Sequence, residues 1–116
     1  MVNKTIVFKG NEYQLKYPTV GQLIDIRVME QQLSKGMIKE LITGTDADID
    51  SYIYITTIAH VQILLPDLVK DMRVSFKDMD VMDFQELINL YSEQISPWLI
   101  EWRDKIKEKM KIRSER

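Results

Sequence analysis

The chain of 116 residues contains no cysteine, only four glycines and three prolines, and a single histidine. Without cysteine there are neither disulfides nor thiolate chemistry. The glycines do not form a phosphate-binding loop, and the histidine and acidic residues do not follow a known metal-ligand spacing. No group of residues has the pattern of a nucleophile with its acid and base. We therefore expect a protein that is not an enzyme and that has no cofactor and no metal.

The one histidine, His60, lies in the most apolar part of the sequence. A catalytic histidine needs a carboxylate or a nucleophile beside it. The residues one helical turn earlier are Thr56 and Thr57, whose hydroxyls commonly bond to the preceding turn of a helix. The sequence therefore favours a hydrogen-bonded structural histidine.

The sequence also lacks a long hydrophobic run. The longest uncharged stretch, residues 51–66, includes polar residues such as His60 and is shorter than the roughly 18 to 20 apolar residues that a membrane span needs. Near the N-terminus, Ile6 to Phe8 is too short for the apolar core of a secretion signal. We therefore expect a cytoplasmic protein that does not interact with membranes.

With 45% hydrophobic and 29% charged residues, the chain has the composition of an ordinary globular domain. Its longest apolar region is Ile49 to Leu65. At about 100° per residue, the apolar side chains of this region point in all directions, which is typical of a helix buried in the core. A strand is the alternative, because Tyr52 to Ile58 is rich in β-branched and aromatic residues. The length, the acidic start and Pro66 at the end favour the helix.

Three aspartates near the start of that helix, Asp46, Asp48 and Asp50, alternate as in a calcium-binding loop. Such a loop has glycine at its sixth position and a bidentate glutamate at its twelfth, but here these positions are Ser51 and Thr57. We therefore interpret the aspartates as helix-start residues, favoured by the positive end of the helix dipole.

Residues 4–17 are predicted to form a β-hairpin. The pair Gly10-Asn11 suits a two-residue turn of the primed type between two short alternating runs. Because an isolated hairpin is marginal in water, its apolar side must lie on the helices or on a second chain. Its open edges are candidates for pairing with a neighbour. The apolar residues of the two runs are Ile6 and Phe8, then Tyr13, Leu15 and Tyr17.

Thr19 and Gln22 have the spacing of a capping box, which predicts a helix that runs to Lys35 and stops at Gly36. Its apolar residues form two groups on different sides, so we expect this helix to contact two neighbours and to lie between layers. A short helical segment, Met37 to Ile42, follows it. The first group consists of Val20, Leu23 and Ile24, and the second of Ile26, Met29 and Leu33.

Asp80 is predicted to cap a one-sided helix from Val81 to Ile95. Ser96-Pro97 then restarts the chain, with serine as the cap of a last helix from Trp98 to about Ile112. The predicted fold is mainly α: a small helical domain with an N-terminal β-hairpin. The single domain, residues 1–116, divides into the hairpin (1–18), a helical core (19–96) and a C-terminal amphipathic helix with a basic end (97–116).

The net charge of −2 is unevenly distributed along the chain. Residues 103–116 contain seven Lys or Arg and three acids, a net charge of +4, so the rest of the chain carries −6. A basic end on an acidic body either binds something acidic, including another copy of the same body, or is a solvated helix end. Nucleic-acid binding is not expected, because the body is acidic and Trp98 and Trp102 lie on the apolar stripe instead of among the lysines.

The last helix carries the predicted partner-binding residues. Trp98 and Trp102 share one face, which either anchors the helix to the core or meets a partner. Farther along, the apolar stripe continues among lysines that too few acids balance, so we expect a partner with an apolar strip and acidic flanks to order this part. The open hairpin edges and the opposite charges also predict a homo-oligomer. The predicted partner-binding residues are Trp98, Trp102, Lys105, Ile106, Lys109 and Met110.

The order of these parts is similar to that of a known family. A hairpin with VFKGNEYQLKYPT is followed by an entry helix, TVGQLIDIRVMEQQLSKG, an apolar middle that ends in LLPDL, and a closing ISPWLIEW. This arrangement resembles the small tail assembly chaperones of long-tailed phages, which are mainly helical and hold the aggregation-prone tape measure protein during tail construction. The resemblance implies a non-catalytic chaperone with a tape measure-like protein client in the host cell cytoplasm. The alternative is a structural tail or connector subunit that stays in the virion.

Overall fold

The computed structural model describes the backbone of residues 3–114 and the side chains of residues 3–109. An antiparallel hairpin precedes a set of helices, which confirms the predicted fold class. A 3₁₀ turn, Phe76–Asp78, lies before α5, and a π-helical turn, Tyr91–Ile95, joins α5 to α6. The elements are β1 (Lys4–Phe8), β2 (Asn11–Leu15), α1 (Val20–Leu33), α2 (Ile38–Ile42), α3 (Asp46–Leu64), α4 (Pro66–Met72), α5 (Val81–Leu90) and α6 (Ser96–Ser114).

The hairpin turn consists of Lys9 and Gly10, with Phe8 opposite Asn11. The prediction placed the turn one residue later, at Gly10-Asn11, and was wrong in this detail. Lys9 and Gly10 both have positive φ, 49° and 80°, as a type I′ turn requires. This register buries Ile6, Tyr13 and Leu15 on one face of the hairpin.

The predicted capping box begins α1. Thr19 Oγ1 accepts a hydrogen bond from the backbone N–H of Gln22 (3.1 Å), and the Gln22 side chain accepts one from the N–H of Thr19 (3.0 Å). The helix ends at Leu33 instead of the predicted Lys35. Lys35 and Gly36 both take the left-handed conformation, with φ of 56° and 80°, and reverse the chain toward α2.

The central helix is α3, which contacts α1, α2, α4 and α5. A second capping box, between Thr45 and Asp48, confirms that the first aspartates are helix-start residues. Near the start of α3, Ile49 and Tyr54 are 38% and 41% exposed. The prediction that Ile49 to Leu65 is buried on all sides is therefore correct only in part, because the C-terminal half is better buried but still exposes Gln62 and leaves Ile58 half-buried. That half buries Thr56, Thr57, Ala59, Val61 and Leu64.

The chain bends sharply between α3 and α4, by 106°. Leu65 leaves the helical conformation (φ −129°, ψ 61°), because the ring of Pro66 cannot continue the preceding helix.

No single helix in the described part of the chain, residues 3–114, is long and apolar enough to cross a membrane. The helices α3 and α4 meet that test only when they are taken together across the bend.

One continuous helical run is formed by α5, the π turn and α6. Asp80 caps its start, as predicted. Ser96 has helical angles (φ −60°, ψ −47°) and its N–H donates to the carbonyl of Tyr91, so the prediction that Ser96 caps a new helix at this point was wrong. The wider π turn accommodates Pro97, which has no N–H and would clash with the preceding turn of a regular α-helix.

The core lies where the hairpin, the second half of α3, α4, α5 and the start of α6 meet. Among α1 residues, Ile26 belongs to it, which leaves α1 at the periphery of the molecule. The most completely enclosed large side chains are Ile6, Leu15, Thr57, Val61, Leu68, Leu87 and Ile95.

Candidate partner-binding surfaces

One side of α1 is a row of exposed apolar side chains. Val20, Leu23, Ile24 and Val28 are 75%, 39%, 57% and 47% exposed, respectively. Their spacing places them on a single side of the helix, and we call them the α1 strip. At 1.5 Å per residue the α1 strip is about 12 Å long. An exposed apolar surface of this kind is typical of an interaction site.

The other side of α1 faces α3. Ile26 is only 4% exposed and Met29 packs against the core, although Leu33 from the same group stays 44% exposed. The sequence predicted a neighbour for both apolar groups of this helix. Within residues 3–114, however, only the group that contains Ile26 is covered by another element, so that prediction was wrong for the α1 strip. The α1 strip is thus available to another molecule.

A second apolar surface is a cleft between α3, the 3₁₀ turn and α5, which we call the apolar cleft. Phe84 is contacted edge-on by Tyr54 (ring centroids 5.4 Å apart) and by Phe76 (6.2 Å). The cleft encloses about 180 Å³. Since an apolar cavity of about 150 Å³ holds benzene, the apolar cleft has room for one large side chain of a partner. Its lining residues are Tyr54, Ile58, Phe76, Met79, Val81 and Phe84.

The predicted surface on α6 begins with two tryptophans that are half-buried. Tyr17 stacks on Trp98 with ring centroids 4.2 Å apart and on Trp102 with centroids 5.8 Å apart. Both tryptophans also pack against the core. This packing explains how the start of α6 is anchored, and a partner contact through the same face stays a prediction.

The rest of the predicted surface lies beyond Trp102. Ile106 is half-buried but does not pack against the core, and Lys109 is exposed. Lys105 Nζ is 3.5 Å from the carboxylate of Glu101, an exposed ion pair within α6. The side chain of Met110, also predicted to bind a partner, lies outside the described residues. The structure therefore separates an anchored tryptophan pair from a distal part that the core does not hold.

His60 is held in α3 by a local hydrogen bond. Its Nδ1 donates to the carbonyl oxygen of Thr56 at 2.7 Å, and its ring lies 4.9 Å from that of Tyr91. Burial is the main cause that lowers the pKa of His60 below its ordinary value, and the bond to Thr56 opposes this effect. The prediction of a hydrogen-bonded structural histidine is confirmed. Over residues 3–109, no three His, Asp or Glu side chains are grouped so that they could hold a metal ion.

Sequence reasoning recognised the α1 strip as an apolar group but expected it to be covered, and it missed the apolar cleft. The cleft combines Tyr54 from α3, Phe76 from the 3₁₀ turn and Phe84 from α5. Such distant segments share no local sequence signal. Only the packing of three elements brings them together.

Comparison with known proteins adds no relative whose function can be transferred to this chain. The surfaces of α1, of α6 and of the apolar cleft are therefore the features of this chain that indicate a function. No family model, no curated protein and no solved structure matches the sequence or the fold.

Proposed function

We propose that this protein is a non-catalytic phage tail assembly chaperone that binds apolar helical segments of the tape measure protein. The observation that carries the proposal is the α1 strip, in which apolar side chains from Val20 to Val28 stay exposed on a well-capped helix. An apolar row on an ordered helix is typical of a surface that a partner covers. The resemblance of the sequence to small tail chaperones suggests the partner, and the α1 strip suggests where it binds.

The geometry of the α1 strip suits an amphipathic helix as the client. Side chains at this spacing fit between those of a second helix laid against them. Arg27 is exposed and lies on the same side of α1, so it can pair with a client carboxylate while its aliphatic stem covers apolar surface. The apolar cleft offers room for one further client side chain. Binding of this kind requires no acid, base or metal.

The size of the α1 strip indicates weak and reversible binding. Complete burial of a Val, Leu or Ile side chain contributes about 1.5 to 3 kcal/mol. The side chains of the strip are already partly covered, so each contributes less than that, and association itself costs translational and rotational freedom. A client held in this way can be released when the tail assembles.

Capture of a co-expressed tape measure fragment tests the proposal. Ile24→Asp places a charge in the middle of the α1 strip at a position that is 57% exposed, so we expect capture to be lost and the melting temperature to stay unchanged. The matched control is Met82→Asp, which replaces an apolar residue of α5 that is 77% exposed. We expect this control to capture the fragment normally. If both variants lose capture, or if neither does, the client contact does not lie on the α1 strip.

A structural tail or connector subunit would use the same surface for a permanent contact. Mass spectrometry of purified virions distinguishes the two functions. A chaperone is absent from the finished particle, whereas a structural subunit is present in a fixed copy number. Finding this chain in virions in fixed proportion to the other tail proteins would replace the proposal with the structural alternative.

A further inference from the structure

An apolar groove with an acidic border lies between the hairpin turn, α4 and the start of α5, and we call it the acid-rimmed groove. It encloses about 420 Å³. Its apolar lining is provided by Phe8, Tyr13, Leu68, Met72, Val74, Met79 and Leu87. Four carboxylates border it, those of Asp71, Asp78, Asp80 and Asp83. Lys9 also lines the groove, but its Nζ lies 3.7 Å from the carboxylate of Glu86. The groove is therefore apolar inside and negative at its edge.

Hydrogen bonds hold three of the four carboxylates in place. Tyr13 donates its hydroxyl to Asp71 (2.8 Å). Asp78 accepts from the hydroxyl of Ser75 (2.9 Å), and Asp80 accepts from a backbone N–H at the start of α5 (2.8 Å). A border that is already ordered loses little conformational freedom when a partner binds. The fourth carboxylate, Asp83, is exposed in the first turn of α5.

The basic end of α6 has the complementary pattern. Residues 103–116 carry a net charge of +4, and the rest of the chain carries −6. Ile106, which does not pack against the core, is flanked along the helix by the exposed side chains of Lys105, Lys107 and Lys109, of which Lys105 pairs with Glu101 in the same helix (3.5 Å). An apolar side chain flanked by lysines matches an apolar groove flanked by carboxylates. Docking would also relieve the repulsion between lysines one helical turn apart.

The described part of the basic end, residues 103–109, does not occupy the groove of its own chain. No residue of α6 within the described range lines the acid-rimmed groove. The start of α5 borders the groove, and the helical run continues from there through the π turn into α6, so that Lys105 lies roughly 33 Å along the run from Asp83. The molecule is accordingly elongated, with a radius of gyration of 15.5 Å against about 13 Å for a compact chain of this length. The described part of the basic end is therefore placed to reach the groove of another molecule and not that of its own chain.

We propose that the acid-rimmed groove binds the basic end of α6 from a second copy of this chain. The contact joins two different surfaces, so the copies associate head to tail. If two copies each place their basic end in the groove of the other, a closed dimer forms. If each copy docks only onto the next one, larger assemblies form. This self-association goes beyond the chaperone function and does not depend on the client or on the α1 strip.

Sedimentation of the full chain at micromolar concentration over a salt series tests this proposal. We expect association at low salt that weakens as salt is added, because the charge pairs are exposed and screened. Asp83→Lys should weaken association about tenfold, and so should the double variant Lys107→Glu/Lys109→Glu, since each places like charges opposite one another. Mixing the two variants should restore association, because each supplies the charge that the other has lost. The matched control is Asp25→Lys, a charge reversal at an exposed acid of α1 outside the groove, which should associate normally.

A strict monomer at low salt overturns the proposal. Association that neither charge reversal changes also overturns it, and would place the contact on the hairpin edge or on the α1 strip. If Asp83→Lys abolishes capture of the tape measure fragment and leaves self-association intact, the groove binds the client and not a second copy. Because the α1 strip is tested by Ile24→Asp, each proposal can fail without the other.

Discussion

Tyr17 lies nearly flat on Trp98, with ring centroids 4.2 Å apart and ring planes inclined by 19°. Trp102 extends this stack one helical turn farther along α6. The contact joins the segment that leaves the hairpin to the start of the last helix. Among the described residues, packing of α6 against the core ends at Trp102. The helix therefore has an anchored start and a distal part that is free to bind a partner.

Truncation after Arg103 should leave the fold intact. The truncated chain keeps Trp98, Leu99 and Trp102, which are the α6 residues within 96–109 that pack in or against the core. We expect cooperative unfolding close to that of the full chain, as measured by thermal circular dichroism. Self-association in sedimentation should be lost, because the basic end has been removed. Collapse of the fold would assign the distal helix to the core.

The same truncation tests whether the client binds to α6 or to the α1 strip. From the sequence, capture of a tape measure fragment should be lost with Ile106 and Met110. Because the tryptophans are engaged with Tyr17 and the α1 strip is exposed, we expect the truncated chain to capture the fragment still. Loss of capture by a folded truncated chain would assign the client contact to α6.

Two substitutions in α3 should destabilise the fold to very different extents. Val61 is completely buried, whereas Ile58 is half-buried and lines the apolar cleft. An unpaired charge in the core costs more than the few kcal/mol that most domains can lose, so Val61→Asp should abolish cooperative folding. Ile58→Asp should lower the melting temperature and leave a cooperative transition. Equal effects in thermal melts would show that the two sides of α3 are equally buried.

Removing one buried hydroxyl should stabilise the protein. Thr57 is completely buried, and its Oγ1 has no hydrogen-bond partner within residues 3–109. Since an unsatisfied buried polar group is unfavourable, Thr57→Val should raise the free energy of unfolding by about 1 kcal/mol in urea titrations. The neighbouring Thr56→Val is the control and should not stabilise, because the Thr56 hydroxyl oxygen lies 3.3 Å from Nδ1 of His60 and can share, as a second acceptor, the N–H that Nδ1 donates to the Thr56 carbonyl oxygen. A decrease in stability for Thr57→Val would contradict the burial described for its hydroxyl.

His60 should make stability depend on pH on the acidic side of neutrality. Burial lowers its pKa in the folded chain, whereas the unfolded chain keeps a value of about 6.5. As the pH falls, His60 is therefore protonated at a higher pH in the unfolded chain than in the folded chain. The free energy of unfolding that is present above about pH 6.5 decreases as the pH falls below that value. Urea unfolding of the parent and of His60→Gln between about pH 7.5 and 5 measures this contribution. The variant should lose less stability over that range, and an equal loss in both proteins would contradict the prediction.

Features that depend on a few neighbouring residues could be predicted from the sequence. The predicted capping box of Thr19 with Gln22 forms, Asp46 and Asp48 lie in the first turn of α3 as predicted, and Asp80 caps α5. A capping hydroxyl or carboxylate reaches only the next turn of its own helix, so the local sequence contains all the information needed. The helix starts and the mainly α fold follow from such signals and from the apolar pattern.

Two local structures compete at Ser96-Pro97 and at the hairpin turn. Ser96-Pro97 has the signature of a helix start, yet the chain continues through a π turn that places Ile95 and Leu99 in the core. There, the gain from burying apolar surface exceeds the small local preference for a new helix start. At the hairpin, turns at Lys9-Gly10 and at Gly10-Asn11 place the same alternate residues on the buried face, so burial does not choose between them. The observed turn places Gly10 at the second turn position, with a φ of 80° that suits glycine.

The exposed side of α1 was decided by the tertiary structure alone. Its two apolar groups, represented by Ile24 and Ile26, contain side chains of the same kind, so the sequence does not distinguish them. The hydrophobic effect has no direction and favours burial of either group against any apolar surface within reach. Here α3 offers one such surface, and it covers Ile26 while Ile24 stays 57% exposed. The sequence by itself determined that α1 has two apolar sides, and packing against α3 decided which of them is left for a partner.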